Sequence, residues 1–148
     1  MVGRTVRPSI LRQGKTTLAI GVTGRLRVLI CEDEYLVAME MAAEAKAHGA
    51  TDVTIMSGPG ELNRALENAD FSAELAILAV SPIEGHLCEL VALLENRNIA
   101  IVFCSGYTAS ESPADLAHIP WLPKPFRAEE FGLAMAQALN QRSVRQSD

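Results

Sequence analysis

Three sets of polar side chains follow apolar runs in this chain, and together they could form a ligand-binding site. The cluster Glu32-Asp33-Glu34 closes an early apolar run, and Ser105 and Lys124 each follow a later one. A carboxylate, a hydroxyl and an ammonium group that meet at one place could bind a polar ligand. These residues can form one site only if the strands that precede them end side by side.

The run Leu75–Val80 determines where these side chains can meet. Its six apolar residues are followed by Ser81-Pro82, a pattern typical of a short strand buried on both faces of a parallel sheet. In an open parallel sheet, ligands bind at the carboxyl ends of the strands. We therefore expect the three polar sets to converge beside Ala79, near the end of this central strand.

The rest of the chain alternates between strand and helix patterns. Strands are predicted at 28–31, 53–56, 75–80, 99–104 and 119–122, and helices at 35–48, 62–69, 87–94, 108–118 and 128–141. Gly49 is expected to end the first helix, Pro113 to weaken the fourth, and Pro120 to keep the fifth strand at an edge. The fold class predicted is α/β: a doubly wound, five-stranded parallel sheet in the order 2-1-3-4-5, flanked by five helices.

Length and charge limit the class of protein. With 148 residues, 49% of them hydrophobic, the chain suits one domain, predicted at 26–141, between a basic, disordered extension at 1–25 and a disordered tail at 142–148. Residues 1–30 contain no acid, which leaves 7 basic against 18 acidic residues afterwards and disfavours nucleic-acid binding. Because no apolar run approaches the length of a membrane span, we expect a soluble, cytoplasmic protein without a membrane contact.

The three cysteines indicate a reducing compartment. Cys31, Cys88 and Cys104 lie in apolar segments and lack the Cys-x-x-Cys spacing. We expect three buried thiols, with neither a disulfide framework nor a zinc site.

In order and spacing, these residues resemble the receiver domain of two-component response regulators, over about residues 25–141. The matching marks are Glu32-Asp33 after the first strand, Ser105 after the fourth, and Lys124-Pro125-Phe126 after the fifth. The resemblance implies a flavodoxin-like receiver fold in which the acidic pair helps to hold Mg²⁺. It also implies a third-strand aspartate that accepts a phosphoryl group, stabilised by the metal, the lysine and the fourth-strand hydroxyl. Trp121 stands where the family has an aromatic residue whose side chain rotates in response to phosphorylation.

Ala79 stands where the resemblance places the phosphoacceptor aspartate. Alanine provides neither a nucleophile nor an oxygen for a metal ion. Ser81 and Pro82 also stand where the family more often has Asn and Leu. The resemblance therefore implies a degenerate receiver, or pseudo-receiver, that is not an enzyme. It also implies no cofactor, with Mg²⁺ binding through Glu32 and Asp33 that is weak or absent.

The function expected from this resemblance is a phosphorylation-independent protein-interaction module of bacterial two-component signalling. Its partner would be a sensor kinase or another signalling protein, and a homodimer is also left open. The resemblance places the contact on the face made by the fourth helix, the fifth strand and the final helix. The alternative is a phosphoryl-accepting single-domain regulator in which Ala79 replaces the acceptor, or in which Ser81 serves instead.

Other interpretations of the same residues also stay open. A small α/β enzyme could use Glu32, Asp33 and Lys124 as a metal site. In structural terms, the acidic cluster can cap the helix that follows it, because acids favour a helix N-terminus. Ser105 can be a turn residue, Lys124 can neutralise Asp33, and Trp121 can be a packing residue of an edge strand.

Overall fold

The computed structural model describes residues 24–79, 87–106 and 114–147, in which strands and helices alternate. In chain order the elements are β1 (Arg27–Cys31), α1 (Tyr35–Ala47), β2 (Asp52–Met56), α2 (Pro59–Leu66), β3 (Leu75–Leu78), α3 (Leu87–Asn96), β4 (Ala100–Ser105), a 3₁₀ turn (Ala114–Leu116), β5 (Trp121–Pro123) and α4 (Ala128–Ser147). Most of the predicted N-terminal extension, residues 1–23, lies outside the described residues, as do Ser81 and Asp148.

The five strands form one parallel sheet in the order β2-β1-β3-β4-β5, which confirms the predicted strand order. All four residues of β3 are buried, as expected for a strand with neighbours on both sides and helices on both faces. β5 lies at an edge of the sheet. Pro120, just before it, contributes its carbonyl oxygen, which accepts a hydrogen bond from the Phe103 amide at 2.9 Å.

Helices cover both faces of the sheet, and each face has its own apolar core. On the α1/α4 face, Ile30, Ile77 and Phe131 are among the buried residues. On the α2/α3 face, Leu62 and Leu94 are among them. Because burying one such side chain contributes about 1.5–3 kcal/mol, these two cores stabilise the sheet that positions the strand ends.

The end of α1 packs closely against α4. Gly49 has a φ of 110°, which confirms the predicted glycine stop after α1. Just before it, the His48 ring stacks on Phe131 with 6.3 Å between ring centroids, and its Nδ1 lies 2.9 Å from the Glu44 carbonyl oxygen. A Cβ atom added to Gly132 would lie 2.5 Å from His48 Nε2. Any side chain at position 132 would therefore force the His48 ring to move.

The prediction of five helices is wrong for the residues that the structure describes, which contain four α-helices and one 3₁₀ turn. Residues 107–113, part of the predicted fourth helix, lie outside the described residues, and Ala114–Leu116 form the 3₁₀ turn. The second helix lies nearer the N-terminus than predicted: it begins at Pro59, ends at Leu66 instead of residue 69, and leaves Ala69 exposed. There the Asn68 side chain accepts a hydrogen bond from the Asp70 amide at 2.9 Å and forms a turn instead.

α4 continues to Ser147, so residues 142–147 are helical rather than the predicted disordered tail. Side chains anchor this last part of the helix to the amino end of the sheet. Arg142 Nε donates to the Asn98 carbonyl oxygen at 2.6 Å, and Arg145 lies 3.7 Å from the Glu95 carboxylate. These polar contacts join distant parts of the chain, and apolar periodicity carries no signal for them.

Two further features concern the environment of the protein. Cys31 and Cys104 are buried as predicted, but Cys88 is exposed on α3, so the prediction of three buried thiols is wrong at that position. Among the described residues, none of the helices combines the length and apolar character that crossing a membrane requires.

Candidate functional site

The carboxyl ends of the strands bring the predicted polar residues to one edge of the sheet. β1 pairs with β3, and Cys31 lies opposite Leu78, so Glu32 and Ala79 follow at neighbouring positions. The Ala79 amide donates to the Cys31 carbonyl oxygen at 2.9 Å and continues the ladder past the end of β3. Position 79 is therefore part of this edge.

Glu32 and Lys124 form a partly buried ion pair at this edge. Lys124 Nζ lies 2.7 Å from Glu32 Oε1. The other carboxylate oxygen, Oε2, accepts a hydrogen bond from the Glu34 backbone amide at 2.9 Å. The Glu32 side chain is only 1% exposed, whereas that of Lys124 is 30% exposed. An ionised carboxylate buried this deeply requires a partner of opposite charge, and Lys124 provides it.

Ser105 and Ala79 lie between these two charged residues in the strand order. Ser105 ends β4 and is buried, and its carbonyl oxygen accepts a hydrogen bond from the Lys124 amide at 3.0 Å. Ala79 is half-buried, and its side chain packs against the core of the α1/α4 face. At position 79 the site therefore presents a methyl group, a side chain with no oxygen for a cation or a phosphoryl group.

The Cys104 thiol lies near the Glu32–Lys124 pair. Burial raises the pKa of Cys104 to about 12, and the attraction of Lys124 and the repulsion of Glu32 act on it in opposite directions. A thiol with this pKa is protonated and a poor nucleophile near neutral pH. We conclude that Cys104 contributes packing beneath the ion pair rather than chemistry.

Trp121 packs against β4 at the edge of the sheet. Its ring meets that of Phe103 edge to face, with 5.8 Å between centroids and an interplanar angle of 77°. The two residues are opposite each other in the register of β4 and β5. The Trp121 side chain is half-buried, so one part of it supports the core and another can contact solvent or a partner.

The described residues at this edge do not fit a divalent cation. Both oxygens of Glu32 are already bound, one of them by an ammonium group, and Ala79 supplies no ligand. Asp33 is exposed and adds one further carboxylate. Over the described ranges, the structure contains no cluster of three or more His, Cys, Asp or Glu side chains suited to a metal ion. A Mg²⁺ ion, which needs oxygen ligands in an octahedral arrangement, would have to displace Lys124.

The structure brings together four of the residues singled out from the sequence: Glu32, Ala79, Ser105 and Lys124. In the ion pair, Lys124 binds Glu32, whereas the structural interpretation of the sequence had paired it with Asp33. In the same interpretation the acids were expected to cap α1. Within the described residues the N-cap residue Glu34 forms no side-chain capping bond. Its amide is bound instead by Glu32.

The partner of Lys124 and the role of Cys104 were missed in the sequence, although a signal for both was present. Side chains alternate between the two faces of a strand, so residues two apart share a face. Ile30, Cys104 and Leu122 all belong to the core of the α1/α4 face. Counting two residues onward from Ile30 and Leu122 places Glu32 and Lys124 on that same face, and Asp33 on the other.

Comparison with solved structures identifies the fold. A response regulator receiver domain protein from Clostridium thermocellum is 20% identical, with a TM-score of 0.63 over 81% of this chain and 98% of that one. A CheY-like receiver domain protein from Methanospirillum hungatei JF-1 is 18% identical, with a TM-score of 0.65 over 82% and 99%. A sensor protein from Polaromonas sp. JS666 is 25% identical, with a TM-score of 0.61 over 80% and 99%. The chain therefore has the fold of CheY-like response regulator receiver domains.

Comparison of sequences adds no closer relationship. No protein-family model matches the chain, and no curated protein matches it significantly.

Proposed function

We propose that this protein is a pseudo-receiver: a cytoplasmic, phosphorylation-independent interaction module of bacterial two-component signalling. The observation that carries the proposal is Ala79, which follows β3 at the edge where Glu32 and Lys124 meet. Phosphoryl transfer to a receiver fold needs a carboxylate nucleophile at this point, and a methyl group cannot form the acyl phosphate bond. The remaining polar residues then have structural roles, because Glu32 and Lys124 neutralise each other.

The contact surface proposed for a partner is the output face, defined as the 3₁₀ turn, β5 and α4. On α4, the large apolar side chains of Leu133 and Val144 are 54% and 57% exposed. Trp121 lies on β5 and is half-buried. Its side chain packs against the core of the α2/α3 face at the edge of the sheet, whereas α4 covers the other face. Exposed apolar side chains and a partly exposed aromatic residue are both typical of protein-binding surfaces. A sensor kinase or a second signalling protein is the proposed partner.

A binding experiment tests both parts of this proposal. Purified sensor kinases from the same organism are titrated against the protein before and after treatment with acetyl phosphate and Mg²⁺. We expect at least one kinase to bind, with the same Kd before and after this treatment. A tenfold change in Kd after treatment, equivalent to about 1.4 kcal/mol, would contradict phosphorylation independence.

Two substitutions locate the binding surface. Leu133→Glu places a charge on the output face and should weaken partner binding at least tenfold, because burying an unpaired charge costs several kcal/mol. Leu36→Glu is the matched control, since Leu36 is 81% exposed on α1, which is not part of the output face. Trp121→Ala should also change partner affinity. If only Leu36→Glu weakened binding, the partner would dock on α1 and the output face would be the wrong assignment.

A second candidate function is phosphoryl acceptance, favoured by the presence of Glu32, Ser105 and Lys124 at one edge. In this interpretation Ala79 replaces an acceptor aspartate, or Ser81 accepts the phosphoryl group. The two candidates differ in whether the protein gains a covalent phosphoryl group from a small acyl phosphate. A metal-dependent enzyme is less well supported, because the carboxylate of Glu32 is already neutralised by Lys124.

A further inference from the structure

The ion pair connects elements that are far apart in the sheet. Glu32 follows β1 and Lys124 follows β5, and β3 and β4 lie between them in the strand order. The Lys124 and Glu32 side chains must therefore extend towards each other over the ends of the two intervening strands to meet at 2.7 Å. Its own amide is held at the end of β4 by the Ser105 carbonyl oxygen, at 3.0 Å.

Because residue 79 is alanine, no carboxylate at this position competes with Glu32 for the Lys124 ammonium group. β3 lies between β1 and β4, so a carboxylate at position 79 would be near the path of the Lys124 side chain. Alanine offers it no oxygen, and Ala79 instead packs against the core of the α1/α4 face. Glu32, with its side chain 1% exposed, is then the carboxylate that the ammonium group neutralises.

Among the described residues of this edge, the buried negative charge is balanced without an added ion. Glu32 contributes one negative charge in the interior and Lys124 one positive charge in contact with it. The second oxygen of Glu32 accepts the Glu34 amide, so the turn between β1 and α1 is fixed by the same carboxylate. Asp33 is exposed, where water solvates its charge.

We propose that Lys124 is the built-in cation of this site: its ammonium group occupies the place of a divalent ion and fastens the ends of β1 and β5. This inference rests on the proposed function only in taking this edge as the receiver site. It goes further by assigning to Lys124 a role that a metal ion would otherwise have. The Glu32–Lys124 pair then stays in place at any concentration of divalent cation.

Thermal unfolding of Lys124→Met tests the proposal. The variant leaves Glu32 buried without a counter-charge, and we expect its Tm to fall by about 10 °C, given the cost of breaking a buried pair. Mg²⁺ binds through one or two carboxylates while keeping several waters, so Glu32 and Asp33 could then hold it. We expect 10 mM MgCl₂ to restore several degrees of the lost Tm, relative to NaCl of equal ionic strength. The unmodified protein should gain nothing under these conditions.

Lys46→Met is the matched control. Lys46 is an exposed lysine in the last turn of α1, so its loss removes a positive charge elsewhere on the domain. Its Tm should change by no more than about 2 °C, and MgCl₂ should have no specific effect, as for most surface substitutions. An equal Mg²⁺ gain in the unmodified protein and in Lys124→Met would overturn the proposal. So would a Lys124→Met variant as stable as the control.

The double variant Glu32→Gln with Lys124→Met decides the question if Lys124→Met does not fold. It removes both charges, so the uncompensated carboxylate is absent, and we expect it to fold, to be more stable than Lys124→Met, and to ignore MgCl₂. A double variant no more stable than Lys124→Met would show that the lysine stabilises the edge by packing rather than as a cation. Partner binding does not enter these measurements, so a failure here would leave the proposed function to its own test.

Discussion

Substitution of Ala79 by aspartate should restore a divalent-cation site and make stability depend on Mg²⁺. Neighbouring strands lie about 4.8 Å apart, so a carboxylate at position 79 would be roughly 5 Å from that of Glu32. At an effective dielectric constant of 20, two such charges repel by about 3 kcal/mol. Because Lys124 already neutralises Glu32 at 2.7 Å, we expect a smaller net destabilisation, of about 1–3 kcal/mol, without metal.

Mg²⁺ should reverse this loss in Ala79→Asp. At a concentration 100 times its Kd, a ligand that binds only the folded state adds about 2.7 kcal/mol, which for a domain of this size corresponds to roughly 5–10 °C in Tm. The assay is thermal unfolding with and without MgCl₂ at constant ionic strength. Ala79→Asn is the control, because it has the same shape without the charge and should show no metal-dependent gain. If Ala79→Asp showed no gain either, the strand ends would not converge as described.

Two further predictions concern the framework of the domain. Gly132→Ala should destabilise it by about 1–2 kcal/mol in urea unfolding, because overpacking against His48 outweighs the better helix propensity of alanine, and the loss should be smaller in a His48→Ala background. An equal loss in both backgrounds would contradict the close contact. For Glu74, burial raises the pKa of the carboxyl group. Hydrogen bonds and attraction from Arg27 lower the pKa by more than burial raises it, so it lies below the usual value of 4.5. A carboxyl pKa lowered in the folded state stabilises above the unfolded pKa and loses this effect as pH falls through the folded pKa. Glu74→Gln should therefore cost about 1–3 kcal/mol at pH 7, with the difference from the unmodified protein shrinking below pH 4.5; a difference independent of pH would be inconsistent with this pairing.

Much of the fold could be predicted because the strands are continuous apolar runs. Leu75–Leu78 is buried at every position, and burial on both faces in a chain that alternates strand and helix indicates a parallel sheet. Helix ends were less predictable, since they depend on single polar contacts. The turn at Asn68 ends α2 early, and Arg142 extends α4 by binding a carbonyl oxygen more than forty residues away.

The candidate site was predictable in its membership but less so in its pairing. The position of Glu32 and Lys124 after their strands was sufficient to place both residues at one edge. Which acid binds the lysine depends on the face that each side chain occupies. Asp33, one residue after Glu32, falls on the other face from Lys124. Glu32 is deeply buried because helices pack over that face, and a local sequence pattern does not predict this packing.

The most direct measurement is the intact mass of the unmodified protein after incubation with acetyl phosphate and Mg²⁺, with Ala79→Asp treated in parallel. The account predicts no phosphoryl adduct on the unmodified protein, because Ala79 offers no nucleophile, and a slowly formed adduct on the variant. A phosphoryl adduct on the unmodified protein that Ser81→Ala abolishes would contradict it, and would make the protein a phosphoryl acceptor through Ser81.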